Sequence, residues 1–148
     1  MRARSRKIGK VTRLAESEDK RFGELAGRAQ HALDEQRNRL GELTAFRQNY
    51  ASGASSSTTL RAAHMQDYHD FLSRLDQAVK AQQQIVRDYE QRAAVHRQRW
   101  LAKRQRVESL QRVLDNCAAE DRAYEARLEQ KRLDDIPNSM ANCFSPDD

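Results

Sequence analysis

Apolar residues recur at alternating spacings of three and four along two stretches of the chain, with a run of small residues between them. The first stretch follows Ile8, Val11, Ala15, Phe22, Leu25, Ala29, Ala32, Leu43, Phe46 and Tyr50, with Glu18, Gln36 and Arg39 filling the polar gaps of the grid. Leu33 and Leu40 lean toward the same face, as expected when a straight helix drifts against a seven-residue repeat. The second stretch runs Tyr68, Leu72, Leu75, Val79, Gln82, Val86, Tyr89, Ala93, His96, Trp100, Lys103, Val107, Leu110, Leu114, Cys117, Asp121, Tyr124, Leu128 and Lys131. Fourteen of those nineteen positions are apolar, where a chain that is 38% hydrophobic would give about seven by chance. Such a pattern is a coiled-coil seam.

Between the two lies ASGASSST, residues 51–58, a cluster of turn-forming residues. The expected fold is all-α: an antiparallel hairpin with helix 1 over about 5–50, a turn at 51–58 and a longer helix 2 over about 59–135. Residues 1–136 form this single domain, and Pro137 is expected to stop the helix and leave 137–148 as a flexible tail. Gly23, Gly27 and Gly41 weaken helix 1 by about 1 kcal/mol each relative to Ala, so it needs the partner helix. A turn centred near residue 55 brings Ile8 to the region of Ala102. Helix 2 beyond about Val107 is then unpaired, although its apolar stripe continues through Leu110, Leu114, Cys117, Tyr124 and Leu128.

Composition narrows the function. Charged residues make up 33% of the 148 positions, with Gly 5 and Pro 2, too polar for a membrane span and too poor in turn residues for an all-β fold. The basic N-terminus is not followed by an apolar stretch, so a secretory signal is not expected, and Cys117 and Cys143 are read as reduced thiols. The net charge is +5, but it is unevenly spread. Residues 1–13 and 92–106 contain no acid, and the expected register sets these stretches side by side as one basic end suited to an anionic partner. A second apolar line, Phe71, Ala78 and Ile85, widens the face of helix 2 near the turn beyond what two helices need.

Catalytic chemistry finds no support. His31, His64, His69 and His96 lack metal-ligand spacing. There is no Gly-rich phosphate loop and no defensible nucleophile–base grouping. Neither a cofactor nor a small-molecule substrate is expected, and the chain is read as a non-enzyme.

The ordered set of Phe46-x-x-x-Tyr50, the Ser-rich turn, Tyr68-x-x-Phe71-x-x-x-Leu75-x-x-Ala78, Trp100-x-x-Lys103 and the segment Arg127-Leu-Glu-Gln-Lys-Arg-Leu-Asp-Asp135 resembles the flagellar export protein family FliJ over roughly residues 8–136. The resemblance implies a cytoplasmic component of the flagellar type III export apparatus, peripherally held at the inner face of the cell membrane at the flagellar base and needed for motility. It implies three partners: the hexameric export ATPase, whose ring the termini-bearing end enters and helps assemble, the export-gate membrane protein, and export chaperones. Gate contact falls on Phe71, Leu75, Ala78, Gln82 and Ile85, where relatives often carry His at the place of Gln82. Ring contact falls on Arg4, Lys7, Lys10, Arg13, Lys103, Arg104, Arg106, Leu110, Leu114 and Arg127. Two other readings stay open on sequence. One is a basic coiled coil that binds nucleic acid, although residues 1–13 lack the Asn that base readout favours and nucleic acid is not expected as a partner. The other is the equivalent stalk protein of a virulence injectisome.

Overall fold

A computed structural model describes residues 2–55 and 62–143, with side chains over 3–53 and 64–136. It consists of two helices, α1 (Arg2–Ser55, 54 residues) and the longer α2 (Ala62–Cys143, 82 residues). They pack against each other as an antiparallel hairpin, with pairs stepping up α2 as they step down α1. The chain divides into two compact units, one formed by Lys20–Ala102 and one by Met1–Asp19 with Lys103–Asp148.

In the Lys20–Ala102 unit the core is Leu33, Val86 and Ala93, with Ala29, Leu40 and Tyr89 packed on it. Burial of such side chains contributes about 1.5–3 kcal/mol each for the larger aliphatics, which holds together helices that carry too much charge to persist alone. Gln36 is buried in this seam, and the Gln82 Nε2 donates to its side-chain oxygen at 2.9 Å and its backbone oxygen at 3.1 Å. The two polar exceptions to the apolar grids therefore satisfy each other, and a buried polar pair of this kind fixes register. Toward the turn, Tyr50 stacks on Tyr68 with ring centroids 5.2 Å apart and tilts against Phe71 at 4.7 Å. Arg37 pairs with Glu90 at 3.3 Å on one edge of the seam. At the other end of this unit Gly23 lies against Trp100, whose ring occupies the space a Cβ would need.

In the second unit Thr12, Ala15 and Val107 are buried. Glu18 and Lys103, again polar members of the two grids, form a half-buried ion pair at 3.0 Å. Gln111 donates to Glu16 at 3.4 Å on the edge of the seam.

Several expectations are corrected. α1 continues to Ser55, through most of the small-residue run: Ser52 bonds back to the Gln48 carbonyl and Tyr68 donates to the Ala51 carbonyl. Serine bonded within its own helix is a tolerable helix residue. The rest of the expected turn, residues 56–58, lies outside the described residues. The register moves accordingly, because Lys103 faces Glu18 rather than the neighbourhood of Ile8, a shift of about ten residues, or about 15 Å of helix. Leu110, Leu114 and Cys117 are consequently half-buried rather than bare. The acid-free stretches do not coincide either: α1 before Thr12 is aligned with the part of α2 beyond Val107, which carries Glu108 and Asp115. Finally, helical backbone runs past Ile136 to Cys143. A proline removes one backbone donor and costs about 3 kcal/mol in a helix interior, but the residues after it still bond among themselves. Residues 144–148 lie outside the described residues.

The α1 grid needs a further change of phase. Thr12 is buried while Val11 is 41% exposed, Leu33 is more deeply buried than Ala32, and Arg47 rather than Phe46 occupies the seam. Thr12 tolerates burial because its hydroxyl donates to the Ile8 carbonyl at 2.7 Å. Arg47 tolerates its seam position by a charge-assisted bond to Asp76.

Candidate docking surfaces

In heptad terms, the α2 seam runs from Tyr68 to Asp121 with Tyr68, Leu75 and Gln82 at d and Leu72, Val79 and Val86 at a. The line Phe71, Ala78, Ile85 follows at g, along one edge. In the Lys20–Ala102 unit Phe71 and Ile85 are exposed and Ala78 is half-buried, whereas Leu75 is buried and Gln82 is engaged with Gln36. Of the five residues assigned to gate contact, three thus lie on an accessible edge and two hold the helices together behind it. Phe46, 53% exposed, occupies the g position of α1. The apolar grid of α1 puts Phe46 inside the seam; the signal that moves it out is the acid Asp76, which pairs with Arg47 across the two helices. Tyr50 props Phe71 from behind, so the apolar edge is held in place by the aromatic cluster at the turn.

The second surface belongs to the other unit. Every residue from 122 to 136 is exposed, and Tyr124, Leu128, Leu133 and Ile136 are 45–55% accessible. Tyr124 and Leu128 continue the d and a positions of the seam. They are apolar for the same reason as their predecessors, yet both are exposed among the described residues. A shallow groove lined by Ala119, Glu120, Ala123, Tyr124 and Arg127 opens at its start. Arg127 stands on this bare stretch, and Arg4, Lys7, Lys10 and Arg13 are exposed along α1 of the same unit. Arg104 and Arg106 are exposed too, whereas Lys103 is drawn into its pair with Glu18. Leu110 and Leu114, half-buried, line the seam that leads to the bare stretch.

Among the described residues no group of His, Cys, Asp and Glu could hold a metal ion. Cys117 is a half-buried free thiol in the seam, and the Cys143 side chain lies outside the described residues. No helix among the described residues is long and apolar enough to cross a membrane.

No curated protein and no solved structure matches the chain. The family model described as "Flagellar FliJ protein" matches residues 5–142. That span takes in both helices, the seam and the bare end. The chain belongs to the FliJ family and is a component of the flagellar export apparatus.

Proposed function

We propose that the protein is a non-enzymatic assembly and coupling factor, joining the hexameric export ATPase to the export gate and handing on export chaperones at the inner face of the cell membrane. The observation that carries this reading is the bare stretch 122–136. A preformed helix with an uncovered apolar stripe loses free energy when it enters an apolar socket, at about 25 cal/mol per Å² of apolar surface removed from water. It need not be ordered first, because the paired part of α2 has already nucleated it. Arg127 and the basic strip Arg4, Lys7, Lys10 and Arg13 would meet carboxylates or carbonyls around the mouth of such a socket. Arg104, Arg106, Leu110 and Leu114 support the collar rather than the tip.

The gate contact falls on Phe71, Ala78 and Ile85 at the seam's edge. Leu75 and Gln82 act there by fixing the helix that presents them. This division makes the two partners simultaneous rather than competing, since each has its own unit.

Mixing the chain with the export ATPase and measuring hexamer yield by size-exclusion chromatography tests ring assembly. Hexamer yield and ATP hydrolysis are expected to rise with the full chain and to stay at the basal level with a chain ending at Asp121. No response to the full chain would remove the proposal. For the gate, Phe71→Ala is expected to impair motility with helicity intact; a collapse of the helical signal would instead assign Phe71 to holding the hairpin.

A further inference from the structure

The outward face of a coiled-coil helix, positions b, c and f, is ordinarily charged because it meets water. α2 follows this rule before and after one segment. Before it, the outer positions carry Arg74, Lys80, Arg87 and Asp88; after it, Glu108, Arg112 and Asp115. Between residues 91 and 102 they carry Gln91, Ala94, Val95, Gln98, Leu101 and Ala102, with no charge at all. All six are exposed, Val95 at 44% and Leu101 at 47%. Their inner neighbours Ala93, His96 and Trp100 face the seam, so this segment is apolar on two opposite sides.

The edges change in step. The g line that carries Phe71, Ala78 and Ile85 near the turn becomes Arg92 and Arg99, and Arg97 stands at e on the other side. All three are exposed. A neutral ribbon is therefore rimmed by arginine along both margins, with no acid from 91 to 102. The Arg92 guanidinium lies 5.2 Å from the Tyr89 ring centroid, which steers this cation along the helix wall.

We propose that this ribbon is a membrane-contacting surface, which rests α2 on an anionic phospholipid bilayer with Val95 and Leu101 dipping between headgroups and Arg92, Arg97 and Arg99 on the phosphates. The inference deepens the localisation part of the functional reading and does not depend on ring assembly. Three features select a lipid surface over a protein groove. The ribbon holds only two sizeable apolar side chains, Val95 and Leu101, far short of the ~800 Å² per partner of a stable protein interface. Cations on both margins match a plane of negative charge on either side of the helix, where an acidic helix would be met from one direction. Arginine stems can lie along the acyl boundary while the heads stay at the phosphates. Each basic residue near an anionic surface is worth about 1 kcal/mol, so the contact is weak, reversible and salt-sensitive.

Co-sedimentation of the full chain with phosphatidylcholine vesicles, with and without 30% phosphatidylglycerol at about 0.1 M salt, tests it. The full chain is expected to sediment with the anionic vesicles and to stay in the supernatant with neutral ones. Arg97→Glu/Arg99→Glu should lower the fraction bound at least tenfold, and Val95→Ser/Leu101→Ser several-fold. Lys80→Glu/Arg87→Glu, an equal change of net charge on the ordinary outer face, should alter it less than twofold. Circular dichroism of each variant checks that the helices persist. If the full chain ignores anionic vesicles, the ribbon serves a protein contact and the proposal is wrong. Equal losses in the two charge-reversal variants would also overturn it, because binding would then follow net charge and not this surface. In either case the response of the export ATPase to the full chain stands as a separate result.

Discussion

From Tyr68 to Asp121 every seam position of α2 is buried or half-buried; from Arg122 to Ile136 every residue is exposed. The apolar repeat crosses that boundary unchanged through Tyr124 and Leu128. Periodicity thus reports where a helix wants cover and says nothing of whether its own chain supplies it. The paired stretch is a matter of folding, and the bare one is available to a partner. Substitutions that treat the two stretches alike should have opposite consequences.

The largest expected effect is in the paired stretch. Ala93 is 2% exposed at the centre of the Leu33 and Val86 cluster. Ala93→Asp places a carboxylate there with no partner, at a cost of about 3–5 kcal/mol, and the thermal transition should fall steeply or disappear. A melting curve close to that of the unaltered chain would mean that the helices separate at this point in solution.

The seam of α2 was legible because its apolar residues obey a single phase over many turns. α1 was legible only in outline. Val11, Ala32 and Phe46 sit one position away from Thr12, Leu33 and Arg47, and a three-four grid has two phases that hydrophobicity alone separates poorly. What decides between them is chemistry across the seam and within the helix, namely the Thr12 hydroxyl bonded to the Ile8 carbonyl and the Arg47–Asp76 pair. The serine run hides the register, because a cluster of small hydroxyl residues marks a loop in sequence, whereas α1 uses it as far as Ser55. A turn placed over the whole run moves the expected start of the bare stretch from Arg122 back to near Val107 and sets the two basic stretches together. A better signal was present in the polar exceptions. Gln36 with Gln82, and Glu18 with Lys103, find each other only in the observed register.

Those exceptions give the next effect. Gln82→Leu leaves the buried Gln36 amide unsatisfied, a loss of about 1–3 kcal/mol. Replacing both with Leu should recover most of the stability while loosening the choice of register. Urea titrations of the single and double variants measure the first point, and paired spin labels on α1 and α2 measure the second. A double variant as unstable as the single one would show that the amide pair is not what matters there.

Glycines supply a smaller contrast. A Cβ at Gly23 would come within 2.9 Å of Trp100 Nε1, while one at Gly27 meets nothing within 4 Å. Each Ala gains about 1 kcal/mol of helix propensity, but overpacking at Gly23 costs about 1–3 kcal/mol. Gly23→Ala should therefore lower the melting temperature with a changed Trp100 fluorescence, and Gly27→Ala should raise it. Equal gains at both positions would move Trp100 away from α1.

The smallest effect on stability is expected where the bare stretch begins to matter. Leu128→Asp alters a residue 45% exposed that shares the seam's phase. Exposed substitutions of this kind stay within about 0.5 kcal/mol, so the isolated chain should melt as before. Hexamer yield with the export ATPase should nonetheless fall, because a carboxylate would be carried into an apolar socket without a partner. The pair of measurements separates the possible covers. A lowered melting temperature that depends on protein concentration would mean that a second copy of the chain covers Leu128. Unchanged melting with unchanged hexamer yield would leave the stripe without the ring as its cover. Only unchanged melting joined to a lost hexamer response fits a helix that folds by its first part and works by its last.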